Sequence, residues 1–467
     1  MNRGKDAVWQ EDMLDQQNSN ANSAEASFLI GLFQQLNDSA IPYCVLRNYN
    51  TLPYSLGGSD IDLLVSGDSL ATVFDIVNKL AHMHGGRCIS YFKVMGIICR
   101  FCGKDKKNRT WWGVPIDIFP FVGLRQKEHF DAESVLSNSL VYRNIRVASP
   151  DDAAIIAFLK ECVAHGRSRK NYEKEAATAY ASNRSRYKKR FEKYFGTRMA
   201  RQWSKYLLCG GDAKTLRQIS RRARYALSVK AILRKPLGSM QNTFVCIWRR
   251  YSRLFHPPGF AVVVMGTDGS GKSTIIESIR PVIETALHSK VFYEHMRPNL
   301  LLSLARLFGR PVNKGPTTDP HAGKPSGLLC SLIRLSYYST DYVIGYWLKV
   351  FPALVKWPCM YLFDRYYYDY LIDPYRGRIK LPKWIIAFVG LFIPRPDIIL
   401  CLDADPEVIH ARKPELPLEE VKRQIDALRQ FCDKNKRAVW IDTGCSIEKS
   451  VDQALEAITS RMAARYE

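Results

Sequence analysis

The sequence predicts an α/β protein with a parallel-sheet domain at its C-terminal end and a smaller α/β domain near its N-terminus. Three observations carry this expectation. Strand-like and helix-like runs alternate after residue 256, as they do when a parallel sheet is covered on both faces. A glycine-rich turn joins the first of those strands to its helix. Short apolar runs with aspartates at their ends fill much of residues 25–166. At 467 residues, a guide of about 150 residues per domain gives two or three domains.

Residues 1–24 are polar and lack the apolar centre of a signal peptide, so they read as a disordered start. No run reaches the roughly 18–20 apolar residues of a membrane span. The nearest, "WIIAFVGLFI" at 384–393, stops at Pro394. The 12 cysteines show no extracellular framework, which predicts a reducing, cytoplasmic setting. Cys99 and Cys102 form a lone C-x-x-C in an apolar, strand-like run and read as two inert, partly buried cysteines; a zinc site is the alternative.

The segment 25–166 opens with a helix ("SFLIGLFQQLND") and continues with the strand-like runs "YCVLRNY", "DIDLLVS", "RCISYFKV", "GIICRFC" and "VPIDIFPFVG". A helix, "LATVFDIVNKLAHMH", follows the second run. The segment closes on "SPDDAAIIAFLKECVAHG", a helix with Ser149 before it and Gly166 after it. In a strand, Asp60 and Asp62 share one face, so both carboxylates can meet one divalent cation. Gly57, Gly58 and Ser59 form a turn that can approach a triphosphate. Asp117 adds a third acid, enough for a two-metal site of in-line nucleotidyl transfer. An exposed polar strand face is the alternative. The pattern resembles the DNA-polymerase-β-like nucleotidyltransferase superfamily over roughly 40–165. Many members carry Gly-Ser ahead of the acids, where this chain has Arg47-Asn48. Lys160 and His165 lie on the closing helix, where relatives often carry basic residues; a plain surface role is the alternative.

Residues 167–255 read as a basic helical connector. Between Arg167 and Arg253 there are 24 Lys and Arg against four acids, which holds nearly all of the chain's net charge of +23. That excess predicts either an anionic partner, nucleic acid or membrane surface, or a solvated helical face. "FVCIWRRYSRLF" (244–255) has the pattern of a basic amphipathic helix on anionic lipid.

The segment 256–467 starts at "HPPGF". In "AVVVMGTDGSGKSTI", Gly266, Gly271, Lys272 and Ser273 fit G-x-x-x-x-G-K-[ST] between a strand and a helix. Backbone N–H groups of Gly266, Gly269, Ser270, Gly271 and Thr274 are placed to cradle ATP phosphates. Lys272 adds a point charge, and Ser273 a hydroxyl ligand for Mg²⁺. Asp268 is unexpected in an anion-binding loop and predicts a carboxylate turned toward the phosphate acceptor; capping of the loop by its backbone is the alternative. Asp364 and Arg365 follow an apolar strand, as do Asp403 and Asp405, the latter pair at the start of a helix they can cap. The Pro- and Gly-rich stretch 309–327 reads as a mobile cover.

"GTDGSGKST", "FDRYYYD" and "PDIILCLDADPEVIHARK" together resemble the thymidylate kinase family of P-loop phosphotransferases, over roughly 260–467. "ARKPELPLEEVKRQ" is similar to the thymidylate-kinase-like proteins encoded with bacterial surface-polysaccharide genes. The resemblance implies a P-loop nucleoside-monophosphate-kinase-like fold that uses ATP and Mg²⁺. It places Asp364 at the metal, Arg365 and Arg297 on the acceptor phosphate, Asp268 beside the acceptor's sugar hydroxyl, and the cations Arg412 and Lys413 in the lid. The chain departs from the family after Asp364-Arg365, where "YYYDYLIDPYRGRI" replaces the usual Ser and Ala-Tyr-Gln run. It also carries Gly269 where some members have arginine.

These readings predict a cytoplasmic ATP-dependent phosphotransferase, peripheral at the membrane surface in one variant. Its acceptor is a small nucleotide or sugar phosphate. The fused nucleotidyltransferase-like domain suggests activation of a surface-glycan precursor. The alternative is a nucleic-acid-processing enzyme that uses the basic segment to bind a phosphate backbone.

Overall fold

The strand Ile61–Val65 is buried along its whole length, because helices cover both faces of the sheet around it. The computed structural model describes residues 23–93, 96–124, 127–234, 236–301 and 327–466. The chain divides into two compact units, residues 1–251 and 252–467. Residues 1–22 of the expected disordered start, and nearly all of the expected cover at 309–327, lie outside the described residues.

In the first unit the strands are β1 (Tyr43–Val45), β2 (Ile61–Val65), β3 (Gly86–Lys93), β4 (Ile97–Lys104), β5 (Trp111–Phe119), β6 (Val122–Leu124), β7 (Lys127–Phe130), β8 (Leu140–Tyr142) and β9 (Ile145–Val147). Seven of them form one sheet in the order β3-β4-β5-β2-β1-β9-β8. Strand β2 runs parallel to β5, in a register that sets Asp62 beside Asp117. Val45, Leu63 and Val65 pack with Phe28, Leu32, Val73 and Val77 from the helices Ala24–Asp38 and Leu70–Met83. Cys44, Leu46 and Leu64 face the other way, toward Ile155, Phe158 and Leu159 of the helix Pro150–His165. This period-two division is what alternating strand side chains produce when both faces are covered.

The helices between Lys170 and Arg234, read from the sequence as a connector, share that second core through Tyr180, Tyr187, Phe191, Trp203 and Ile219. Their cations are partly used internally. Buried Asp152 accepts from Arg186 Nη2 at 2.8 Å, Arg190 Nη1 at 2.6 Å and Tyr187 Oη at 2.9 Å. Cys99 and Cys102 are buried on β4 and form no disulfide.

The second unit holds a five-stranded sheet of β10 (Phe260–Gly266), β11 (Lys290–His295), β12 (Cys359–Asp364), β13 (Ile398–Asp403) and β14 (Ala438–Asp442). Its order is β11-β12-β10-β13-β14, and every pairing is parallel. The central strand β10 is buried at all seven positions, as its run of β-branched residues predicts. Its neighbours β12 and β13 lie on opposite sides, so a crevice opens beyond the carboxyl ends of the three strands. Gly266, Asp364 and Asp403 end those strands there. Among the described residues no helix is long and apolar enough to cross a membrane.

Candidate functional site

The turn after β10 leads into the helix Lys272–Thr285, which starts at the expected lysine. Gly266 has no room for a side chain: a Cβ would come within 2.4 Å of Ser270 Oγ and 2.8 Å of the Leu402 carbonyl oxygen. A cleft of about 690 Å³ opens over this turn. The loop lines it with Asp268, Gly269, Gly271, Lys272, Ser273 and Thr274. His295, Asp364 and Arg365 come from the ends of β11 and β12, and Arg376, Arg412 and Lys413 from beyond them. Ser270 is buried within the turn, and among the described residues its hydroxyl has no hydrogen-bond partner.

Lys272 Nζ donates to the carbonyl oxygen of Thr267 at 2.6 Å. Burial, and then the nearby Arg365 guanidinium, push its ammonium down to about 7 against the pull of Asp268 and Asp364. Asp364 Oδ2 lies 3.3 Å from both His295 Nδ1 and Tyr293 Oη, while its buried Oδ1 has no hydrogen-bond partner among the described residues. Burial would raise this carboxyl, yet His295 and Lys272 hold it below its ordinary value. A charged, unpartnered carboxylate oxygen in the cleft that also contains the Ser273 hydroxyl is a donor set that fits Mg²⁺.

Asp268 does not cap the loop: among the described residues its partners are side chains. Its Oδ1 accepts from Arg365 Nη2 at 2.6 Å, its Oδ2 accepts from Arg376 Nη2, and Lys272 Nζ stands 3.9 Å away. Burial would raise the carboxyl, but Arg365, Lys272 and Arg376 hold it well below the usual carboxylate range. Arg365 is itself 4% exposed, and its Nη1 donates to both oxygens of Asp369 at 2.9 and 3.0 Å. The tyrosine run that replaces the expected acceptor-binding run is core. Tyr366 and Tyr367 are buried, and their hydroxyls donate to the carbonyls of Pro394 and Ile386. Within that run, Asp369 holds Arg365 and Arg376 holds Asp268. The sequence reading missed Arg376; its signal was a cation in "PYRGRI", at the point where the chain leaves the family pattern.

Arg412 and Lys413, the cations expected in a lid, end the helix Pro406–Arg412, which Asp405 caps through its carboxylate. Arg412 Nη2 donates to the Thr443 carbonyl at 3.2 Å, and Lys413 pairs with Glu415. Gly269 sits directly under this helix at φ +88°, and a Cβ there would lie 2.9 Å from the Ile409 carbonyl oxygen. A side chain at that position is therefore strained by backbone conformation and crowded by the Ile409 carbonyl. Arg297 does not line the cleft. It is 3.2 Å from buried Asp341 and stacks over Tyr338 at 4.7 Å, a structural tie that the sequence reading did not foresee.

In the first unit β2 begins at Ile61, so Asp60 stands just outside the strand and is exposed, while Asp62 is buried. Arg47 pairs with Asp62 Oδ2, and Lys160 Nζ is 3.4 Å from Asp62 Oδ1. Burial, with the charges of Asp62 and Asp60, raises the Asp117 carboxyl to about 7. The register brings Asp62 and Asp117 side by side, but among the described residues no group of three or more His, Cys, Asp or Glu is arranged to hold a metal ion.

No protein-family model matches the chain. Over 151 residues it is 24% identical to the probable thymidylate kinase of Pyrobaculum aerophilum, covering 32% of this chain and 68% of that protein. About a third of the chain is thus similar to a thymidylate kinase. The similarity is partial and of low identity, and it does not reach a second activity. The crystal structure of thymidylate kinase from Ehrlichia chaffeensis covers 43% of this chain and 98% of its own, at 17% identity and a TM-score of 0.31.

Proposed function

We propose that the second unit is an ATP-dependent phosphotransferase that moves the γ-phosphoryl group to a small phosphorylated acceptor, a nucleotide or a sugar phosphate. The observation that carries this reading is the convergence of Lys272, Ser273, Asp364, Arg365, Arg376, Arg412 and Lys413 on one cleft at the carboxyl ends of a parallel sheet. Phosphoryl transfer needs positioning and charge neutralisation more than covalent chemistry, and a cationic cleft around a phosphate-cradling turn supplies both. Lys272 moves from the Thr267 carbonyl to the donor phosphates. Ser273 and Asp364 would hold Mg²⁺, which offsets the charge of the phosphates when bound. Arg412 and Lys413 reach the transferred group from the lid side. An acceptor phosphate is largely ionised near neutral pH, so it can attack without a general base.

Asp268 then serves the acceptor indirectly. Its carboxylate holds Arg365 and Arg376 at the cleft wall, and those guanidinium groups present the planar donor edges suited to a phosphate. Arg297, tied to Asp341, is better placed to support that wall than to grip the ligand. The deciding experiment is ATP turnover by the purified full chain across a panel of nucleoside monophosphates and sugar phosphates, with Lys272→Ala as control. Absence of acceptor-dependent ADP release across the panel would remove the reading. Nucleotidyl transfer by the first unit, and with it a joint role in glycan-precursor activation, has weaker support, because Asp62 is engaged by Arg47 and Lys160.

A further inference from the structure

Asp62 is a carboxylate inside a strand buried on both faces, 1% exposed. A charge in that position persists only if opposite charges or hydrogen bonds compensate it. Both of its oxygens are compensated by cations from the chain itself. Leu46 N donates to the Asp62 carbonyl at 2.9 Å, which extends the pairing of β1 with β2 and brings the next residue, Arg47, alongside the Asp62 carboxylate. Arg47 pairs with Oδ2. From the opposite direction, Lys160 on the helix Pro150–His165 reaches Oδ1 at 3.4 Å and lies 5.4 Å from the centre of the Phe119 ring, two residues beyond Asp117.

We propose that Arg47 and Lys160 are built-in counter-cations that close the acids Asp60, Asp62 and Asp117 to divalent metal ions. A hard divalent ion binds through several anionic oxygens at once. Here the most buried of the acids already gives one oxygen to a guanidinium and the other to an ammonium, and both cations repel an incoming ion. Asp60, exposed and outside the strand, offers only a single carboxylate in their place. The first unit therefore sets Asp62 beside Asp117 without giving them metal chemistry, and Arg47 is the residue that decides the difference. This inference does not depend on the kinase reading of the second unit.

The test is Mn²⁺ binding to the nucleotide-free full chain, followed by the electron paramagnetic resonance signal of the free ion, with circular dichroism to confirm folding. The parent should show no bound ion that disappears on Asp62→Asn. Arg47→Ala should gain one ion per chain, bound at least tenfold more tightly than any in the parent, and Asp62→Asn added to it should abolish the gain. Arg47→Gln, which preserves volume and some hydrogen bonding, should gain the same ion, while Arg47→Lys should not. A parent ion that depends on Asp62 would overturn the proposal. So would a folded Arg47→Ala or Arg47→Gln protein that binds no additional ion.

Discussion

Arg365 Nη2 donates to Asp268 Oδ1 at 2.6 Å, linking the residue after β12 to the middle of the phosphate-cradling turn. The contact belongs to a chain of alternating charges, Asp369–Arg365–Asp268–Arg376, in which Asp268 lies 97 residues before Arg365 and 108 before Arg376. It resolves the difficulty of a carboxylate in an anion-binding loop. Asp268 is directed to guanidinium groups at the cleft wall, which hold its carboxyl well below the usual carboxylate range.

Removing one member of this chain leaves a buried charge without its partner, which costs roughly 3–5 kcal/mol for a fully buried pair and less here, where Arg376 and Asp268 are partly exposed. Asp268→Asn should lower the melting temperature and raise the acceptor KM, with ATP affinity nearly unchanged. Separate titrations of ATP and acceptor check this; a loss confined to ATP affinity would contradict it.

Arg376→Ala should raise the acceptor KM about tenfold or more, since a charge-assisted hydrogen bond contributes about 1.5–3 kcal/mol. Arg376→Lys should restore little, because an ammonium cannot reproduce a planar fork. Steady-state kinetics on the two variants separates a phosphate grip from a merely structural tie, which lysine would partly rescue.

Lys272 lines the cleft, where its Nζ donates to the Thr267 carbonyl and stands 3.9 Å from Asp268. Lys272→Ala should keep the fold and reduce ATP-dependent transfer by about 100-fold or more, roughly 3 kcal/mol of transition-state stabilisation. Initial rates with saturating acceptor, beside a thermal melt, are the measurement.

At Gly269 a positive φ and the Ile409 carbonyl both act against a side chain. Gly269→Ala should cost about 1–2 kcal/mol in backbone strain alone and weaken ATP binding by displacing the loop or the lid helix. Calorimetric titration with ATP, with the melting temperature alongside, reads both effects.

Asp117 predicts a pH dependence of stability. Its folded carboxyl is raised to about 7 from an ordinary 3.8, so between those values the folded state binds more protons than the unfolded state. Stability from this residue is therefore highest at low pH and declines as pH rises toward 7, by on the order of a few kcal/mol at most. Asp117→Asn should stabilise the chain relative to the parent at pH 8, and the difference should shrink by pH 5. Melting curves at the two pH values suffice.

The sequence by itself determined the local chemistry. Strand–turn–helix around Gly266 and Lys272, the parallel alternation after residue 256, and the helix closed by Ser149 and Gly166 follow from short-range patterns of apolar period, capping and glycine. Near-neighbour geometry is enough to dictate these features, so they were legible without coordinates. The tertiary structure alone decided which charges meet. Nothing local indicates that Arg376 reaches Asp268, that Arg297 turns to Asp341, or that Asp152 gathers Arg186 and Arg190 from a segment that reads as uniformly basic. Nor does it reveal that Arg47 and Lys160, more than a hundred residues apart, both settle on Asp62. Charge pairing is long-ranged in sequence and short-ranged in space, and burial fixes its outcome by requiring every enclosed charge to find a partner.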